Sequence, residues 1–319
     1  MTDVVLRPFR SDDIAGMAAL VNARTVRDGH GDYLPAETLA EQYAHLTRCD
    51  PVADLVVAEL DRTVVGYART TWDDTDEGDR DHWLVVEADP LVDGLEVQLL
   101  DWCEARATQV AAELPAPSQR LVANAVTPSA RFDALGRRGF APLRYGHMMI
   151  RPHLDDIPPA RLPAGVDVRP VEPAHWRAIL EADEVAFRDH WGNVAKTDED
   201  YLRFADGATS GTGTSLWQVA WHGDDVVGQV RSYANDGDRE LFGRRRAYTE
   251  DISTTRAWRK QGVATALICA SLRQLAGLGY EEAALGVDTE NLSGALGLYR
   301  SLGYEVVATD AMLRRPITP

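Results

Sequence analysis

The two halves of this chain repeat each other. Val4-Val5-Leu6-Arg7-Pro8 returns as Val166-Asp167-Val168-Arg169-Pro170, Val64-Val65-Gly66 as Val226-Val227-Gly228, and Gly139-Phe140 as Gly303-Tyr304. The first two pairs lie 162 residues apart and the third 164. A spacing held nearly constant over three landmarks marks a duplicated unit. A chain of 319 residues has room for two such units as ordinary domains. The sequence places them at 1–152 and 166–319, with the Pro-rich stretch 153–165 as a linker.

Each copy reads as a strand, one or two helices, a hairpin, a long strand, then helix, strand, helix and final strands. The fold class is therefore α/β: two tandem domains, each a central mixed β-sheet flanked by helices. The first helix is predicted from about Asp12 to Ala23 in one copy and from about Pro173 to Phe187 in the other. In the second copy Leu216–Trp221 and Val226–Ala234 form a hairpin turned by Gly223-Asp224-Asp225. Gly211-Thr212-Gly213 precedes a strand and reads as a plain turn. Further on, Tyr248–Thr255 is a strand, and an apolar stripe through Ala264, Ile268, Leu272 and Leu275 is a helix closed by Gly277 and Gly279. Glu282–Val287 is a second strand. Asn291 is expected to cap a last helix that carries Ala295, Leu298, Tyr299 and Leu302 on one face.

The chemistry lies at the entry to the helix beginning near residue 263. The run Arg259-Lys260-Gln261-Gly262-Val263-Ala264-Thr265 puts small residues and two cations where helix amides are unpaired, so it suits an anion. It has neither the GK[ST] of a nucleotide-hydrolysing loop nor the GxGxxG of a dinucleotide fold.

With Arg259, Gly262 and Ala264 as [QR]-x-x-G-x-[GA], and with Asn291, Ala295, Tyr299, Gly303 and Tyr304 following, the second copy resembles the GNAT N-acetyltransferases. The resemblance implies acetyl-coenzyme A as cofactor, with its diphosphate on the 259–265 turn. Main-chain contacts would come from Ile252, Ser253 and Thr254, and further contacts from Asn291 and Ala295. It also implies direct attack by a primary amine of a small molecule, with Tyr299 as general acid. The family's glutamate base falls on Tyr248 here, a departure. Glu250, two residues on, is the replacement, and Asp251 the alternative if the strand register slips by one. Acceptor contacts are expected from Asp189, His190, Trp191, Trp217 and Tyr248. The layout is also similar to mycothiol synthase, which would make a cysteinyl pseudodisaccharide the acceptor. A non-enzymatic acyl-CoA sensor is the reading from another class.

Laid on the second copy, the first has Gly94 for Gly262, Leu91 for Arg259, Glu96 for Ala264, Thr127 for Asn291 and Leu135 for Tyr299. An acidic residue beside Asp93 would repel a diphosphate, so the N-terminal copy is expected to be degenerate and non-catalytic. A net charge of −17 weighs against a nucleic-acid surface. The three cysteines, Cys49, Cys103 and Cys269, have neither metal nor CxxC spacing, so no metal site is expected and a reducing cytoplasm fits. No run approaches membrane length, and monomer and homodimer stay equally open.

Overall fold

A computed structural model describes residues 4–29, 31–75, 78–188, 196–209, 212–290 and 294–317. In chain order the first half gives β1 (Val5–Pro8), α1 (Ile14–Asp28), α2 (Ala36–Ala44), β2 (Leu55–Leu60), β3 (Thr63–Asp74), β4 (Arg80–Ala88), α3 (Leu95–Glu113), β5 (Gln119–Val126), α4 (Ala130–Arg137) and β6 (Ala141–Arg151). The second gives β7 (Asp167–Val168), α5 (Trp176–Phe187), α6 (Asp198–Thr209), β8 (Trp217–His222), β9 (Asp225–Ala234), α7 (Asp238–Phe242), β10 (Arg246–Thr254), α8 (Val263–Gly277), β11 (Glu282–Asp288), α9 (Ala295–Ser301) and β12 (Glu305–Pro316). The mixed α/β class holds. No helix among the described residues is long and apolar enough to cross a membrane.

The compact units do not follow the sequence boundaries. One comprises Met1–Gly146 together with Ala308–Pro319, the other His147–Val307. In the first unit β1, β2, β3 and β4 run antiparallel, β4 pairs parallel with β5, and β12 adds antiparallel to β5 from Asp310 to Pro316. Ala311 and Leu313 of that strand are buried in the first unit's core. In return, Met149 of β6 is buried in the second unit's core. Each half thus gives the end of its last strand to the other unit. The segment read as a linker is also part of the second unit. Leu154 is buried there, Ile157, Ala160 and Leu162 pack against the same core, and Arg273 donates to Pro158 O at 2.5 Å.

In the second unit β7, β8, β9 and β10 are antiparallel and β10 pairs parallel with β11. His222 pairs with Asp225, so the hairpin turns on Gly223 and Asp224 alone and Asp225 begins β9. α8 is buried nearly all round, through Val263, Ala266, Leu267, Ile268, Cys269, Leu272 and Leu275. Gly228 brings it close to the sheet, since a Cβ there would stand 2.8 Å from Val263 Cγ1 and 3.1 Å from Ser253 O. Gly66 does the same in the first unit, where a Cβ would meet Leu99 Cδ1 at 2.8 Å.

Candidate active site

β10 and β11 pair only from Arg246–Glu282 to Tyr248–Ala284 and part beyond that point. Past the split, β10 carries a bulge. Glu250 faces Arg231 on β9 and Ser253 faces Gln229, so Asp251 and Ile252 together oppose the single residue Val230. Asp251 takes a left-handed conformation, φ 46°. The strict alternation assumed from the sequence fails here, and Asp251 and Ile252 both reach the cleft that opens at the split.

This cleft, of about 690 Å³, is of ligand size. Glu250, Ile252, Ser253 and Thr254 line it from the strand, Arg259, Lys260, Gly262, Val263, Ala264 and Thr265 from the helix entry, and Ala295 and Tyr299 from α9. Twelve residues chosen from sequence therefore meet in one place. Lys260 (φ 62°) and Gly262 (φ 85°) are both left-handed, which turns the chain sharply into α8. Ala266 N–H is the first to find an intrahelical acceptor, Gly262 O at 2.9 Å, so the amides before it face the cleft at the positive end of the helix dipole.

Arg259 lines the cleft, and its guanidinium also donates to Thr254 O (3.2 Å) and Ala186 O (2.8 Å), pinning the end of β10 to that of α5. Some expectations are corrected. Gln261 is exposed, donates to Ala257 O at 2.8 Å, and does not line the cleft. The last helix begins at Ala295 with left-handed Gly294 as its N-cap. Tyr248 is buried and stacked on Tyr233, ring centroids 4.9 Å apart, off the cleft wall. Trp217 packs on Phe204 and is likewise off it. Asp189, His190, Trp191 and Asn291 lie outside the described residues. Sequence reading missed Gly286 and Gly294 on the wall; two glycines flanking the strand-to-helix connection were the available signal.

Glu250 is held by its backbone neighbour: Gly286 N–H donates to Oε1 at 2.8 Å. Tyr299 is buried, 6% exposed, and burial together with the charge of Glu250 pushes its phenol well above the ordinary tyrosine range. It therefore keeps its proton at neutral pH. Behind it Tyr304 meets Thr249, hydroxyl to hydroxyl, at 2.7 Å. The cleft suits acetyl-coenzyme A: bare helix-entry amides for the diphosphate, open space around Gly262, where an added Cβ would meet nothing within 4 Å, and a freed strand edge for the pantetheine arm.

The comparisons agree with this geometry. Residues 176–304, which contain the whole cleft, match the model of the Acetyltransferase (GNAT) family. Over 99% of the chain the fold is similar to a GCN5-related N-acetyltransferase from Sphaerobacter thermophilus, at 23% identity, TM-score 0.74 and 96% of that chain. It is also similar to a tandem GNAT protein from the clavulanic acid biosynthesis pathway, at 14% identity, TM-score 0.70 and 99% of both chains. None of the curated proteins matches the sequence. The cleft-bearing segment is a GNAT acetyltransferase domain, and the chain as a whole has the tandem GNAT fold.

Proposed function

We propose that this protein transfers the acetyl group of acetyl-coenzyme A to a primary amine of a small molecule, using the second unit alone. The observation that carries the reading is the meeting of the β10 bulge, the α8 entry, Glu250 and Tyr299 in one cleft. Bound there, acetyl-coenzyme A supplies the activated acyl carbon as a thioester. The α8 amides and Lys260 hold negative charge at one end of the cleft. Glu250, fixed by Gly286 N–H, accepts the proton that the acceptor's ammonium must lose before its nitrogen can attack, directly or through a water. Tyr299, kept neutral by its surroundings, has a proton to give to a departing thiolate. Asp251 is a poorer base because its carboxylate is engaged by Arg231 at 3.2 Å.

The test is thiol release from acetyl-coenzyme A with a panel of amines. Tyr299→Phe and Glu250→Gln should each lower kcat by about 10²-fold or more while coenzyme A still binds. A sensor would bind the nucleotide and release no thiol with any amine. Turnover confined to a cysteinyl pseudodisaccharide would instead establish the mycothiol synthase-like reading, which the tandem layout supports.

A further inference from the structure

The charged side chains of the cleft are sorted by sign. Arg256, Arg259 and Lys260 stand on the turn into α8, while Glu250, Asp251 and Asp288 stand at the bulge and at the end of β11. The reading above uses the basic end for a diphosphate and one acid, Glu250, for a proton. Asp288 accepts from Glu290 N–H at 2.8 Å within its own turn. Asp251 is left without a task. Its side chain is 53% exposed, against 9% for Arg231 behind it. Arg231 lies 3.1 Å from Asp183 as well as 3.2 Å from Asp251, with the rings of Phe204 and Trp217 at 5.2 and 5.6 Å from its guanidinium carbon. Lys196 also acts on Asp183. The arginine's charge is thus shared between two carboxylates and enclosed, and a molecule in the cleft meets the carboxylate of Asp251 first.

We infer that the acceptor carries, besides the amine that reacts, a second protonated nitrogen, and that Asp251 at the bulge binds it. This rests on the acetyl-transfer reading of the site. An acceptor bearing a carboxylate would meet Asp251 and Glu250 together, with Asp183 behind them, and would be repelled. An uncharged tail would leave Asp251 with its half of Arg231 alone.

The experiment uses the full chain, acetyl-coenzyme A and three acceptors of similar length: 1,4-diaminobutane, n-pentylamine and 5-aminopentanoate. The diamine should exceed pentylamine in kcat/KM by about fivefold, the upper worth of one partly exposed ion pair, and the amino acid should be the poorest. Salt of about 0.5 M should shrink the preference. In Asp251→Asn, a residue that tolerates the left-handed conformation, the diamine-to-pentylamine ratio should fall to about one or two, and Asp251→Glu should restore part of it. Equal use of diamine and pentylamine by the wild type, preference for the amino acid, or a ratio unmoved by Asp251→Asn overturns the inference. If no amine is turned over, it is the acetyl-transfer reading that fails. Calorimetry with coenzyme A present then decides the charge question: tighter binding of diamine than pentylamine, lost in Asp251→Asn, supports it, and equal binding overturns it.

Discussion

The two units solve the same fold and differ where the chemistry would be. Their helix entries are superposable in kind: Gly94 and Gly262 are both left-handed caps, at φ 75° and 85°, and accept from Gln98 and Ala266 respectively. Their last helices close alike, with Phe140 N–H on Leu135 O and Tyr304 N–H on Tyr299 O, each at 3.1 Å. Both central strand pairs part after one short parallel run, ending at Trp83 and Tyr248. Yet β4 pairs with β3 from Gly66–Ala88 to Asp74–Arg80 with no bulge. Val85 faces Arg69 where Glu250 faces Arg231, and Leu135 replaces Tyr299. Where Ala264 and Ala295 leave room in the second unit, Glu96 and Arg131 form an ion pair at 2.5 Å. Leu95 N–H, moreover, is already taken by Val92 O. The two scaffolds match, and at these positions the first carries an ion pair where the second leaves room, so a shared backbone does not by itself set what lines the helix entry.

That contrast can be broken by exchanging its parts. Ala264→Glu puts the first unit's carboxylate beside the α8 amides. At about 5 Å from a phosphate and an effective dielectric near 20, the repulsion is about 3 kcal/mol, so coenzyme A should bind on the order of a hundredfold more weakly by calorimetry. Removing the first unit's pair with Glu96→Ala and Arg131→Ala should leave the stoichiometry at one nucleotide per chain, since the bulge is still missing. A second site would end the claim that only one copy is competent.

A finer separation comes from the caps. Gly94→Ala and Gly262→Ala each force a Cβ into a left-handed position and should cost about 1 kcal/mol of stability. By thermal melting the losses should be similar, because neither Cβ meets an atom within 4 Å. Only Gly262→Ala should raise the Kd for coenzyme A, by severalfold on the order of one crowded contact. Equal effects on binding would place the cradle elsewhere.

The smallest effect is in acid, where the two units respond with opposite sign. His82 in the first unit is buried, with Nε2 2.8 Å from Gln119 Oε1, and burial pushes its pKa below the ordinary histidine value. A depressed histidine contributes stability that is present above about pH 6.5 and lost as pH falls through its folded value. Its place in the second unit's ladder is filled by Ala247. Asp183 in the second unit is raised by burial, with Arg231 opposing, so its contribution is present below the ordinary aspartate range and lost as pH rises through its folded value. Hydrogen exchange on peptides of β4 and β10 between about pH 7 and pH 5 should show protection falling in the first and not in the second, and His82→Asn should flatten the first.

Much of this was legible because local rules and the duplication point the same way. The helix entry at Gly262 follows from residue size and charge, and the offset of 168 that pairs Gly262 with Gly94 exposed Glu96 as the intruder. The bulge was not legible. Period-two alternation treats β10 as regular, and an Asp in a left-handed conformation leaves no signature in a sequence of strand-forming residues. The contacts Arg259 makes within the fold were hidden for another reason: motif position gives proximity, and says nothing of the carbonyls of Ala186 and Thr254 that its guanidinium meets. The borders of the units were misplaced because the last strands of the two copies share one hydrophobic pattern, and such a pattern does not say whose core it fills.

That crossing of final strands has a genetic corollary. The first lobe is discontinuous, Met1–Gly146 with Ala308–Pro319, whereas the second, His147–Val307, is one uninterrupted run. No single cut in the gene therefore frees a whole first lobe, while a cut after Gly146 leaves the second with all of its own residues and a strand end that belongs to its sibling.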